Sequence, residues 1–129
     1  MYQRDILTTR QSEMIGITMV LEEVLKESNI KNGVMTIFVP HTTAGITINE
    51  NTDPDVASDM LEGLEKLIPY YNNYKHVEGN SAAHLKSSIM GSSVSVIVQN
   101  GKLQLGSWQG IYFCEFDGPR KRRVYIDIR

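Results

Sequence analysis

The dipeptide Asn100-Gly101 does most to restrict the fold of this chain. It follows Ser93–Gln99, in which Val94, Val96 and Val98 take alternate positions, and it precedes the short run Lys102–Leu105. A two-residue type I′ turn needs positive φ at both central positions, which Asn and Gly tolerate best. These residues therefore specify an antiparallel hairpin. Gly110–Phe116 and Arg123–Arg129 extend it into an antiparallel run.

The N-terminal half mixes strands with helices. Tyr2–Thr9 is β-rich, and a second short strand is expected over Glu13–Ile17. From Ile17 the period changes: Ile17, Val20, Leu21, Val24 and Leu25 recur at helical spacing, with Glu22, Glu23, Lys26 and Glu27 opposite. That helix is expected to end near Asn29, with Gly33 at the exit. Val34–Pro40 (VMTIFVP) reads as a strand buried on both faces. A turn follows at His41–Gly45, and another strand at Ile46–Asn49. Asp53-Pro54-Asp55 is a helix start: a capping carboxylate, a proline suited to the first position and an acid that complements the dipole. Val56, Met60, Leu64, Leu67 and Ile68 give that helix one apolar face up to Pro69. A tyrosine-rich polar loop spans 70–80. Asn80 or Ser81 then caps a helix over Ala82–Met90, which Gly91 stops. The expected class is α+β, a largely antiparallel sheet with helices packed on it, in an order of about ββαββααβββ and in one domain over 1–129.

Composition narrows the function classes. A chain of 129 residues with net charge −2 is too weakly charged to bind nucleic acid through bulk positive charge. The charge is uneven, −5 over residues 1–60 and +3 over 61–129. One cysteine excludes an internal disulfide and Cys-pair zinc modules, which suits a reducing cytoplasm. No run is long and apolar enough for a membrane span, and no signal-peptide core is expected at the N-terminus. Walker, dinucleotide-binding, zincin and nucleophile-elbow motifs are all absent.

Chemistry-bearing residues gather at element ends. His41 follows a strand, His76 lies in the polar loop and His84 near a helix start. Three imidazoles can form a catalytic zinc site with one open position, and Glu50, Asp53, Asp55, Asp59 and Glu78 add carboxylates. Their spacing is equally that of three unrelated histidines. Glu78-Gly79-Asn80-Ser81 leads into a helix whose free N–H groups attract anions, with Lys86, Ser87 and Ser88 on the same helix; a plain capped helix is the alternative. Trp108, between Gly106 and Gly110, is expected to fill core rather than stack on a ligand. Cys114, in an alternating strand, is expected to be a buried small hydrophobe. Asp117-Gly118-Pro119-Arg120 reads as a tight turn, and Lys121, Arg122 and Arg123 extend it into a basic cluster suited either to phosphate or to a charged edge strand.

Taken together, His41–Val56 (HTTAGITINENTDPDV), His76–Lys86 (HVEGNSAAHLK), Ser88–Ser93 (SIMGSS) and Leu105–Arg120 (LGSWQGIYFCEFDGPR) resemble the YjbQ-like family over essentially the whole chain. The resemblance implies a homotrimeric α+β protomer and a weak, secondary thiamine-phosphate-synthase activity. That reaction joins a pyrimidine pyrophosphate to a thiazole phosphate and releases pyrophosphate. It points to His41, His76 and His84 as metal positions. Zinc is the first expectation, with Mg, Mn, Fe or Ni as others. On that reading His41, His84, Glu50 and Arg120 are catalytic, with Glu50 orienting a ligand histidine or a water. Gly79, Asn80, Ser81 and Lys86 hold phosphate. The partner is a small phosphorylated metabolite, with no nucleic acid and no membrane. The alternatives are a metal-dependent hydrolase of such a metabolite and a non-catalytic trimeric protein that binds a metal or anion.

Overall fold

A computed structural model describes residues 1–129 and contains eight strands and three helices. The elements are β1 (Tyr2–Leu7), β2 (Glu13–Gly16), α1 (Thr18–Ser28), β3 (Gly33–Phe38), β4 (Ala44–Glu50), α2 (Pro54–Leu67), α3 (Ser81–Met90), β5 (Ser93–Gln99), β6 (Lys102–Leu103), β7 (Gln109–Glu115) and β8 (Lys121–Ile128). A five-stranded sheet has the order β1-β8-β3-β5-β6, and a three-stranded sheet has the order β2-β7-β4. Every pairing is antiparallel. The α+β class follows the sequence expectation, with four strands after α3.

Local chemistry explains the elements. Asn100 and Gly101 both take positive φ, 54° and 72°, so the hairpin turn has the handedness its residues require. α1 ends at Asn29, which adopts the left-handed conformation at φ 58°. Asp53 caps α2 by accepting the Asp55 N–H, with Pro54 in the first turn. α3 differs. Asn80 holds its N-cap position, but its side chain makes no cap bond and its Nδ2 donates to Asp117 instead.

The main core lies between α1 and the two sheets. Leu21, Val24 and Leu25 of α1 meet Met35 and Ile37 of β3, Val96 and Val98 of β5, Val124 and Ile126 of β8, and Ile111 and Phe113 of β7. A smaller cluster, Ala83, Tyr112, Cys114 and Phe116, receives Ala57, Leu61 and Leu64 of α2. Burial alternates strictly along β3: Met35 and Ile37 are buried, whereas Val34 and Phe38 are 43% and 44% exposed. The expectation of burial on both faces is corrected, because α1 and the three-stranded sheet cover only one face of this sheet. Trp108 is also corrected. It stands 61% exposed, since it lies in the loop before β7, outside both clusters. Cys114 is fully buried, and burial pushes its thiol up to about 12, so it acts as a small hydrophobe.

One close approach sets up the site. A Cβ at Gly45 would lie 2.7 Å from the Gly91 carbonyl oxygen, and that oxygen accepts the Ile46 N–H at 3.0 Å. The end of α3 is thereby pressed against the start of β4. The Ser92 carbonyl accepts the Val39 N–H at 2.7 Å, so the same turn also closes on the end of β3.

Leu21→Ala is expected to lower stability by about 2–5 kcal/mol, read from the denaturant midpoint, because Leu21 has no exposed surface and its neighbours are fixed in two sheets.

Candidate functional site

The chain leaves β3 at Phe38 and reaches His41 where α3, the α3–β5 turn and the start of β8 converge. His41 is half-buried, and its Nε2 accepts the Arg123 N–H at 3.0 Å. In a neutral imidazole the other nitrogen, Nδ1, then carries the proton. Burial first, and the Arg122 charge second, hold His41 below its ordinary value of 6.5. It is a neutral ring at neutral pH, oriented by a main-chain donor.

Two cavities meet at this residue. One, about 370 Å³, is lined by His41, Thr42, Ala44, His84, Ser87, Ser88, Gly91 and Ser92. The other, about 560 Å³, has His41, Thr42, Thr43, Ser92, Arg120 and Arg122 on its polar side. They share His41, Thr42 and Ser92, and no carboxylate lines either one. Helical spacing explains the α3 contribution. His84, Ser87 and Ser88 recur at three- and four-residue intervals, and the Ser87 hydroxyl reaches the Thr42 carbonyl oxygen at 3.0 Å.

Beneath the second cavity lies a fully enclosed ion pair that sequence reasoning missed. Glu115 is 0% exposed and Arg122 3%. Arg122 Nε donates to Glu115 Oε2 at 2.8 Å, and Nη2 donates to Oε1 at 2.5 Å. Nη2 also reaches Thr43 Oγ1 at 2.8 Å. Glu115 accepts the Thr8 hydroxyl at 2.9 Å and the Asp117 N–H at 2.9 Å. Burial alone would raise the Glu115 carboxyl. The Arg122 hydrogen bonds, with those from Asp117 and Thr8, reverse that and hold it below the usual carboxylate range. A signal was available: Glu115 is the one charged residue in the apolar run Gly110–Phe116, and Arg122 occupies an inward position of β8. The basic cluster at 120–123 is thus divided, with Arg122 inward and Arg120 outward.

The Asp117–Arg120 turn carries a cis peptide at Gly118-Pro119. Arg120 Nε donates to the Asp117 carbonyl at 2.8 Å and Nη2 to Asp117 Oδ2 at 3.1 Å, leaving the guanidinium half-exposed over the second cavity. Asp117 Oδ2 also accepts from Asn80 Nδ2 at 2.9 Å, which ties the start of α3 to this turn. Asn80 Oδ1 is the one buried side-chain polar atom without a partner.

The structure separates the other expected residues. His76 and His84 stand edge to face with ring centroids 5.7 Å apart, and with Ser81 they line a further cavity. His41 shares a cavity with His84 but not with His76. No group of three or more His, Cys, Asp or Glu side chains is placed to hold a metal ion, and the His41 Nε2 lone pair is already engaged. Within one chain the three histidines therefore do not fit a three-imidazole metal site. Glu50 ends β4, six residues from Ala44, or roughly 20 Å along the strand. It lies too far from the start of β4 to orient His41, and its carbonyl instead accepts the Tyr112 hydroxyl. Lys86 is 2% exposed, and its ammonium donates to Glu65 of α2 at 2.5 Å. Two residues along a helix is about 200° around it, so Lys86 points away from His84 and docks α2 rather than facing an anion. Gly79 is exposed, with φ 76°, in the turn that delivers Asn80.

Comparison with known proteins extends over the whole chain. The model for the family described as UPF0047 protein YjbQ-like matches residues 3–129. The UPF0047 protein YugU of Bacillus subtilis is 57% identical over 124 residues, covering 95% of this chain and 94% of its own. The UPF0047 protein MJ1081 of Methanocaldococcus jannaschii is 49% identical, covering 99% and 93%. A crystal structure from Clostridium acetobutylicum, an uncharacterized conserved protein of the yjbq/upf0047 family, superimposes with TM-score 0.98 at 52% identity, with both chains fully covered. The conserved hypothetical protein TT1486 from Thermus thermophilus gives 0.93 at 38% identity, again with full coverage of both chains.

Two outcomes follow from the buried pair and from His41. Arg122→Met is expected to cost about 3–5 kcal/mol by chemical denaturation, and combining it with Glu115→Leu should recover most of that loss. The folded-state value of His41 lies below 6.5, so the unfolded chain binds the proton first as pH falls. Its contribution is complete above 6.5 and is lost as pH drops toward the folded-state value. Stability curves at falling pH should therefore decline less in His41→Gln than in the parent.

Proposed function

The chain belongs to the UPF0047 YjbQ-like family, and from that premise we propose that it is a transferase of small phosphorylated metabolites, with thiamine-phosphate synthesis as a weak or secondary activity. The observation that carries this reading is the joined pair of cavities around His41, rich in donors and free of carboxylates. Such a lining favours a polyanion even in a chain of net charge −2, because local field rather than total charge governs binding in a cleft.

In the proposed reaction the C–O bond from the pyrimidine methylene to pyrophosphate breaks and a C–N bond to the thiazole nitrogen forms. The leaving group departs as an anion, and what the protein must supply is charge stabilisation and alignment. Arg120 offers a guanidinium at the mouth, and Thr42 and Ser92 offer hydroxyls. His41 offers an Nδ1–H fixed by the bond from Arg123 to its far nitrogen. His84, from α3, provides a second imidazole. A divalent cation, zinc by ligand type, would lie on His76 and His84 only with further ligands from outside the chain. Such a cation would supply added charge neutralisation.

A homotrimer and a cytoplasmic setting complete the proposal. Support for self-association comes from the uncovered face of the five-stranded sheet. There Val34 sits opposite Ile97, and Phe38 stacks with Tyr125 at 6.4 Å, with Ile97 63% exposed. The count of three rests on the family resemblance alone. No helix is long and apolar enough to cross a membrane.

The test incubates purified protein with the pyrimidine pyrophosphate and the thiazole phosphate and follows thiamine phosphate and pyrophosphate together. One-to-one formation is expected. His84→Ala and His41→Ala should each lower the rate by about 10²-fold or more, and Arg120→Ala should act mainly through KM. Inorganic phosphate without C–N bond formation would replace this reading by hydrolysis. Stoichiometric pyrophosphate binding without any turnover would replace it by a binding protein.

A further inference from the structure

A cavity of different character lies at the far end of the β3–β5 pair. Its volume is about 440 Å³, within the roughly 300–1,000 Å³ of ordinary small-ligand pockets. Leu25 from α1, Ile30 from the following turn and Leu103 from β6 provide apolar lining, and Lys26, Lys31 and Lys102 provide the charge. Glu22 is the only carboxylate among the lining residues. The candidate functional site lies beyond Phe38, whereas this pocket adjoins the Gly33 end of the same strand, where Gly33 pairs with Val98. Six residues of β3, roughly 20 Å, separate them.

We propose that this pocket is a separate binding site for an organic anion carrying an aliphatic or arylalkyl body. All three lysines line this one cavity, with Glu22 as the single acid beside them. Lys66, Lys86 and Lys121 each pair with an acid, while Lys26, Lys31 and Lys102, like the exposed Lys75 of the polar loop, form no ion pair. Lys26 lies in the last turn of α1, where it also answers the helix dipole. That explanation does not extend to Lys31 and Lys102, which come from outside the helix. Like charges brought together on an apolar floor raise the local potential, and a bound anion relieves it.

The rim is held by main-chain bonds. The Gly101 N–H donates to the Lys31 carbonyl at 2.9 Å, and the Asn100 N–H to Asn32 Oδ1 at 3.2 Å. A Cβ at Gly101 would lie 3.2 Å from Lys31 Cδ, so the lysine stem runs across the turn. The Asn-Gly turn that fixes the hairpin therefore also places two of the three lysines. Because the apolar lining is aliphatic and no aromatic ring faces the pocket, a stacked nucleobase has no platform there. The ligand class is accordingly a carboxylate, sulfonate or phosphate ester on a flexible or compact apolar group.

The probe is 1-anilinonaphthalene-8-sulfonate, titrated by fluorescence into the full folded chain beside the uncharged N-phenyl-1-naphthylamine, which has the same apolar body. Saturable one-site binding is expected, weakened by added salt and about tenfold weaker for the uncharged analogue. The exposed double variant Lys31→Gln/Lys102→Gln should bind the sulfonate about tenfold less tightly at an unchanged thermal midpoint. His84→Ala should leave it unaffected, which keeps this site distinct from the one around His41. Absence of saturable binding, equal affinity for the two probes, or undiminished affinity in the double lysine variant would each overturn the proposal.

Discussion

The Glu115–Arg122 pair is the interaction on which the rest of the site depends. It joins β7 of the small sheet to β8 of the large one, and through Thr8 and Thr43 it holds the chain just after β1 and just before β4. A buried pair of this kind adds little net stability compared with apolar residues of similar volume, because desolvating both charges offsets their attraction. What it does provide is position. Each Glu115 oxygen receives two donors, so the carboxylate cannot turn without leaving one of them unpaired. Arg122 is held under the cavity, Arg123 follows with its N–H on His41, and Arg120 precedes it over the mouth.

Two further constraints meet that anchor. Gly45 lets the end of α3 approach β4, which brings His84, Ser88 and Ser92 to the cavity wall. The Asn80–Asp117 bond ties the other end of α3 to the turn bearing Arg120. The segments HVEGN and DGPR, distant in sequence, are thus parts of one hydrogen-bonded unit. Neutral His41, the half-exposed Arg120 guanidinium and several hydroxyls then line a space with no carboxylate in its own lining, Glu115 and Asp117 being held on the arginines they pair with, and this is the electrostatic basis for reading the site as one for a polyanion.

Much of this was legible from the residues. The helical period of Ile17–Leu25, the Asp53-Pro54-Asp55 start and the Asn-Gly turn each encode their element locally, and the α+β class followed from them. Burial of β3 was less legible. The run VMTIFVP is apolar on both faces, and only the packing reveals that Val34 and Phe38 lie uncovered. The site was half legible. His41, His84 and Arg120 do share the joined cavities. Lys86 and Glu50 were misplaced because spacing carries no rotation about a helix and no distance along a strand. The three-histidine set was the natural reading of three imidazoles at element ends. Within one chain it gives way to a neutral, main-chain-oriented His41 and a separate His76–His84 pair.

The central claim is that the joined cavities around His41 form an anion site, and pyrophosphate titration followed by backbone NMR tests it most directly. Shift changes that saturate with one dissociation constant and concentrate at Thr42, His84, Ser92 and Arg120 are the expected result. Changes scattered over surface lysines, or none at millimolar pyrophosphate, would contradict it.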